Sequence, residues 1–247
     1  MHTVASVRSL LDDRQALAAW FDRTRARSTA LFRLIDEAAY YTRPITLRHP
    51  IVFYEGHLPA FAVNVLIKKG LGRPGVDERL EQLFARGIDP HDQSAADATE
   101  VRTRALWPSR SEVRAYVDAA DRLLRDALLT ETLVRDDVPV LRRGEAVFTV
   151  LEHEAMHQET LLYMWHRLPY ALKAGAAPAG YSPWVSGRPP ERTAVRVAAG
   201  TATLGAPRDR LAFGWDNEFD EHRVDVGAFD IDAHSVTNAD WLRFMED

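Results

Sequence analysis

The sequence predicts a mainly α chain: a four-helix bundle followed by the beginning of an α+β domain. Two observations carry this. Four long stretches within the first 172 residues repeat apolar side chains every three or four positions, the period of a helix with one buried face. From Lys173 that period is lost, and beyond residue 194 apolar residues alternate instead, as in half-buried strands. The expected organisation is a bundle over residues 1–172, a linker over 173–193, and an incomplete second domain over 194–247.

The first helix is expected from Ser6 to about Ala39, with Val7, Leu10, Leu11, Leu17, Trp20, Phe21, Leu31, Phe32 and Ile35 as its apolar positions. Its stripe turns polar at Arg25 to Ser28, where a break is expected. The second begins at Pro50, since proline suits a first helical turn, and ends at Gly70 or Gly72. Tyr54, His57, Leu58, Phe61 and Val65 form its inward stripe. Gly56 and Pro59 are poor interior helix residues, and Pro59 removes the hydrogen bond to the carbonyl of Glu55, so a kink that aims His57 is one reading. Residues 74–108 read as polar and irregular, with at most a short helix at Asp77 to Arg86. Ser109 or Ser111 caps the third long helix, whose apolar positions are Val113, Tyr116, Val117, Ala120, Leu123, Leu124, Ala127 and Leu128. The fourth runs from about Arg143 to Leu172.

Between Ala174 and Pro190 three glycines and four prolines replace the helical period, with Tyr181 and Trp184 as anchors back to the bundle. One or two short strands are expected around Gly200. His222 to Ile231 alternates except for a slip at Gly227, which marks a bulge. Thr237, with Asp240 three residues on, caps a short helix bearing Trp241, Phe244 and Met245. So few strands would leave apolar side chains such as Val224, Val226, Phe229 and Ile231 uncovered. The chain is thus expected to be the N-terminal part of a longer two-domain protein.

The fourth helix carries the chemistry. Its buried stripe reads Ala146, Val150, His153, His157, Leu161, Met164, Leu168. Four residues is a rotation of about 400°, so His153 and His157 share one face, one turn apart. A single histidine on an apolar stripe is usually a core residue with one hydrogen bond. Two each need a buried partner, and two inward imidazoles can hold a divalent metal. His57, inward on the second helix, is within reach if the bundle places those helices face to face. His153-Glu154-Ala155-Met156-His157 also matches the H-E-x-x-H pattern of zinc peptidases, in which the glutamate is the general base. The longer metzincin form fails, because Thr160 and Tyr163 stand where glycine and histidine are required.

Composition narrows the classes. The chain is 247 residues, 46% hydrophobic and 27% charged, with net charge −5, so nothing favours nucleic acid or an anionic membrane as partner. There is no apolar run long enough for a membrane span and no signal-peptide core, which makes a cytoplasmic location the expectation. The absence of cysteine excludes thiolate nucleophiles, disulfides and cysteine-ligated metals.

Three segments, in order, carry a family resemblance: Phe53-Tyr54-Glu55-Gly56-His57, the stretch His153 to Thr160, and Phe213-Gly214-Trp215-Asp216-Asn217-Glu218 followed by His222, Val224, Val226, Phe229, Val236, Thr237 and Asn238. Together they resemble the non-haem iron sulfoxide synthases of ergothioneine, ovothiol and selenoneine biosynthesis. These join a DinB-like bundle to a formylglycine-generating-enzyme-like (sulfatase-modifying-factor) domain. The resemblance implies Fe(II) held by His57, His153 and His157. It also implies O2-dependent joining of sulfur or selenium to the imidazole of hercynine or histidine, with a thiol (cysteine or γ-glutamylcysteine) or a selenosugar as donor. The family's catalytic tyrosine and much of its substrate pocket correspond to positions beyond residue 247, so no catalytic or substrate-binding residue is carried over. Two alternatives stand beside this reading: a zinc peptidase using His153, Glu154 and His157, and a non-catalytic metal-binding bundle with a vestigial second domain. Glu154 and Glu159 lie off the stripe and are expected at the surface or behind the ligands. His49 and His166 have no support as ligands. Arg102 to Arg114 reads as a solvated stretch, and Trp215 to Asn217 as a turn.

Overall fold

The computed structural model of the chain describes residues 11–85, 104–175, 187–211 and 213–247. Val7, Leu10, Arg102, Tyr181 and Trp184, singled out above, lie outside these. The chain divides into two compact units, residues 1–175 and 176–247.

The first unit is built on long helices. α1 (Arg14–Phe32) starts where the Asp13 side chain accepts from the Ala16 amide. Contrary to expectation it does not break at Arg25. It runs straight through, and Arg25 and Ser28 are buried. The polar stripe is an inward-facing polar face, whose partners are described below. The helix ends at Phe32, earlier than expected, and a separate 3₁₀ turn (Glu37–Ala39), capped by Asp36, follows it.

α2 (Ile51–Ala62) begins after Pro50. Its sequence, Ile-Val-Phe-Tyr-Glu-Gly-His-Leu-Pro-Ala, is apolar on every side, and Glu55 is the only member of that run that is not buried. A helix apolar all round belongs in the centre of a fold, so the inward stripe read from the sequence was too narrow. Beyond Pro59 the chain continues as a π-helix (Val63–Gly70), closed by the Leu71 amide on the Leu66 carbonyl at 2.9 Å. α3 (Glu78–Leu83) is short, capped by Asp77, whose carboxylate accepts from the Leu80 amide at 3.0 Å. The segment around it is far less solvated than its polarity suggested. Leu80, Leu83, Phe84 and the carboxylate of Glu81 are buried. Glu81 is held by the Val76 and Asp77 amides and by Lys68. Phe84 explains Gly56: a Cβ there would lie 2.3 Å from the Phe84 ring, so only glycine lets α2 and this segment close together.

α4 (Arg110–Thr130) takes Ser109 as its cap, the hydroxyl accepting from the Glu112 amide. Arg110 corrects the reading of its surroundings as solvated. It is buried, paired with Glu37 and Glu55, and its guanidinium sits 4.6 Å from the centre of the Tyr40 ring. α5 (Glu145–Arg167) follows Gly144, which has a φ of 74°. α1 and α2 each pack on both α4 and α5, which closes a four-helix arrangement with the apolar faces inward. The unit extends past residue 172. The amides of Asp36 and Ala174 bond to the carbonyls of Leu172 and Leu34, and Ile35 bridges Lys173. The first residues assigned to the linker therefore belong with the helices. Among the described residues no helix is long and apolar enough to cross a membrane.

The second unit holds β1 (Ala194–Val197), β2 (Gly200–Leu204), β3 (His222–Val226), β4 (Phe229–Asp232) and α6 (Asn238–Glu246). β1 pairs antiparallel with β4, Ala194 opposite Asp232, and β2 with β3, Gly200 opposite Val226. Residues 194–204 and 222–232 thus form one interrupted ribbon. Gly227 is not a bulge within a strand but lies in the step between two strands that pair with different partners. Asp216–Glu218 is a 3₁₀ turn, as the sequence suggested. Thr237 and Asp240 cap α6 reciprocally, each side chain accepting from the other's amide. Val195, Leu204, Val224, Val226, Phe229, Ile231, Trp241 and Phe244 are exposed.

Candidate metal centre

His57 is placed by α2 and oriented from outside it. Its Nδ1 lies 2.7 Å from the carbonyl oxygen of Phe84. A carbonyl only accepts, so Nδ1 carries the proton and Nε2 keeps its lone pair. The same segment that requires Gly56 therefore fixes the tautomer of His57. The ring is stacked on Phe53, centroids 4.7 Å apart.

His153 and His157 come from consecutive turns of α5 and are buried, as is His57. The three rings converge through one edge. His153 Nε2 is 3.3 Å from His57 Nε2 and 3.1 Å from His157 Nε2, and all three rings present a ligand nitrogen within 4.8 Å of the others. Aromatic walls hold the pair. Phe61 lies flat on His153 at a centroid distance of 3.5 Å, and Tyr54 meets His157 edge-on at 5.8 Å. Burial, then the neighbouring His157 and His57, pushes His153 down to about 2; burial first and His57 next pushes His157 down to about 3. Burial also lowers His57. All three imidazoles are thus neutral at pH 7, the form that binds a metal.

Three nitrogens about 2.1 Å from one ion and separated by about 90–105° would sit roughly 3.0–3.3 Å apart. The two Nε2 spacings match that figure, so the set fits a divalent ion held by the three nitrogens. The donor chemistry itself does not select among iron, zinc and copper.

Glu154 is not at the surface. It is buried, and its Oε1 accepts from Arg25 at 2.9 Å and from the Ser28 hydroxyl at 2.6 Å. This removes the geometry a peptidase needs, because the carboxylate that would activate water is engaged by α1. Arg25, Ser28, Gln158 and Asp121, all around this carboxylate, were not singled out as site residues. The signal was present in the polar stretch Arg25 to Ser28 on an otherwise apolar helix. Phe84 was missed as well, since it acts through its backbone carbonyl. Glu159 and His166 are exposed, and His49 packs at a tilt against Phe53, centroids 4.2 Å apart, rather than joining the three nitrogens.

Comparison with known proteins agrees with the resemblance read from the three segments. Ergothioneine biosynthesis protein 1 of Neurospora crassa is 28% identical over 249 residues, spanning 95% of this chain and 27% of the relative. Its namesake in Schizosaccharomyces pombe is 25% identical over 256 residues, spanning 93% and 33%. Hercynine oxygenase of Mycolicibacterium smegmatis is 31% identical over 238 residues, spanning 95% and 51%. The chain thus spans about half or less of the length of these curated relatives. The model of the DinB superfamily matches residues 21–161, more than half of the chain and the whole stretch from Arg25 through the three histidines, and to that superfamily the chain belongs.

Proposed function

We propose that this chain forms the metal-bearing part of an Fe(II)- and O2-dependent sulfoxide synthase-type enzyme, which joins sulfur or selenium to the imidazole of hercynine or histidine. The observation that carries the reading is the convergence of His57, His153 and His157 through their Nε2 edges inside the bundle. It is supported by relatives named for ergothioneine biosynthesis and for hercynine oxygenation, whose similarity runs over nearly the whole of this chain.

Iron(II) at this site would supply O2 binding and the one-electron chemistry that forms a bond from sulfur or selenium to carbon. The protein's part is to present three neutral nitrogens on one side, so that substrate and O2 meet on the other. Burial keeps the imidazoles unprotonated, and Phe84 keeps the His57 lone pair on Nε2. Phe53, Phe61 and Tyr54 exclude water from around the rings and fix their planes.

Metal content and O2 consumption test the reading together. The anaerobically purified chain is expected to bind one equivalent of Fe(II) while turning over poorly or not at all by itself, and the protein as the cell makes it is expected to consume O2 when hercynine is present with γ-glutamylcysteine, cysteine or a selenosugar. His157→Ala should lose both. Stoichiometric metal without O2 consumption under any of these combinations, in the protein as the cell makes it, would favour the non-catalytic metal-binding bundle.

A further inference from the structure

Histidine ligands are ordinarily oriented through their second ring nitrogen, which donates to a carbonyl or carboxylate. His57 follows that rule through Phe84. His153 and His157 do not: the Nδ1 of each is buried and finds no protein acceptor among the described residues. Phe61 flat on His153 and Tyr54 edge-on to His157 restrain the planes of the rings, but such contacts alone leave a ring free to slide along its neighbour. The position of both rings must therefore follow from the rotation and axial setting of α5 itself.

That setting is fixed one residue further along. Glu154 and Gln158 follow His153 and His157 in sequence, so they stand on the adjoining face, about 100° around the helix. Both are buried against α1. Gln158 Nε2 donates to the Thr24 carbonyl and to Ser28 Oγ, each at 2.9 Å. The Ser28 hydroxyl donates to Glu154 Oε1, and Arg25 Nη1 donates to the same oxygen. Arg25 Nε in turn lies 2.9 Å from Asp121 Oδ1 on α4. The stretch of α5 bearing the two histidines is thereby bolted to α1 and through Arg25 to α4. An apolar contact between these helices would tolerate small rotations. A buried carboxylate with directional bonds to a guanidinium and a hydroxyl does not, because any rotation leaves charge unpaired in a dry interior.

We propose that the buried network of Glu154, Arg25 and Asp121, with Ser28 and Gln158, is the positioning device for the metal centre, setting the rotation of α5 so that His153 and His157 meet His57. The proposal rests on the reading of the three histidines as a metal site. Glu154, Arg25 and Ser28 are positioning residues that act through α5 and touch neither metal nor substrate.

The test uses Co(II) as a spectroscopic probe in the 247-residue chain. Glu154→Gln keeps the volume and an acceptor oxygen for Ser28 but removes the charge that holds Arg25. Ser28→Ala removes one bond to Glu154 without exposing a charge, and guards against a Glu154 variant that fails to fold. The expected result is a 10- to 100-fold weaker Co(II) affinity in Glu154→Gln, with shifted ligand-field bands. A smaller change in the same direction is expected in Ser28→Ala, and recovery toward the parent spectrum in Glu154→Asp. Variants with lowered thermal stability but parental Co(II) affinity and spectrum would overturn the positioning role alone. A parent chain that binds neither Co(II) nor Fe(II) would overturn the metal reading and this role with it.

Discussion

His153 and His157 show how far a single residue's setting governs the chain. Their pKa values, near 2 and 3 against 6.5 in an unfolded chain, mean that each takes up a proton only when the fold opens. Unfolding therefore binds protons over the window from about pH 6.5 down to about pH 3, and acid favours the unfolded state. The metal-free chain is expected to keep its full stability above pH 6.5. Below it, stability should fall by about 1.4 kcal/mol per pH unit for each of these two imidazoles. Denaturant unfolding followed between pH 7 and pH 4 checks this, and His153→Phe should flatten the slope. That the two histidines point inward was legible in the sequence, because the 3.6 period is explicit around them. Glu154 was legible only as one of two settings, at the surface or behind the ligands. The same period places it off the stripe, and only the polar face of α1, which brings Arg25 and Ser28 to meet it, turns that position into an interior one.

At the scale of the element, α3 matters more than its six residues suggest. It delivers Phe84, whose ring requires glycine at position 56 and whose carbonyl holds His57. Asp77→Ala removes the cap that starts α3 and is expected to cost about 1 kcal/mol in denaturant unfolding. Because the loosened element carries the acceptor for His57, metal affinity should fall as well. Ser109→Ala, a loss of the same kind at the start of α4, should lower stability alone, and metal titration of the two variants side by side distinguishes the cases. The sequence announced α3 only as a short helix in a polar stretch. Its apolar residues are too few to show a period, and the close approach it makes to α2 was legible only as an unexplained Gly56. A kink is one reading of Pro59 from the sequence, and the chain beyond it continues as a π-helix. A missing donor tells that the ladder is interrupted but not how the next turns re-pair.

Over the whole molecule, the split between a helical unit and a strand-bearing one follows from periodicity, which is why it could be read without a structure. The strand register could not. Alternation from His222 to Ile231 looks continuous, and only pairing shows that Val226 and Phe229 belong to strands with different partners. The apolar side chains of this ribbon are exposed, as the count of strands led us to expect. The helical unit is the opposite case. α2 is buried on nearly every side, with only Glu55 and Phe61 half-exposed, so it cannot fray without opening helices on either side. Its backbone amides should therefore be the slowest in the protein to exchange with solvent deuterium. From Tyr54 to Ala60 they should exchange at a common rate set by opening of the entire bundle. The ligand on α2 would then reside on the last segment to let go. Heat or denaturant would disperse the ribbon and fray the ends of α1 and α4 well before His57 parts from its neighbours, and amides of α2 that exchanged early and unevenly would refute this order.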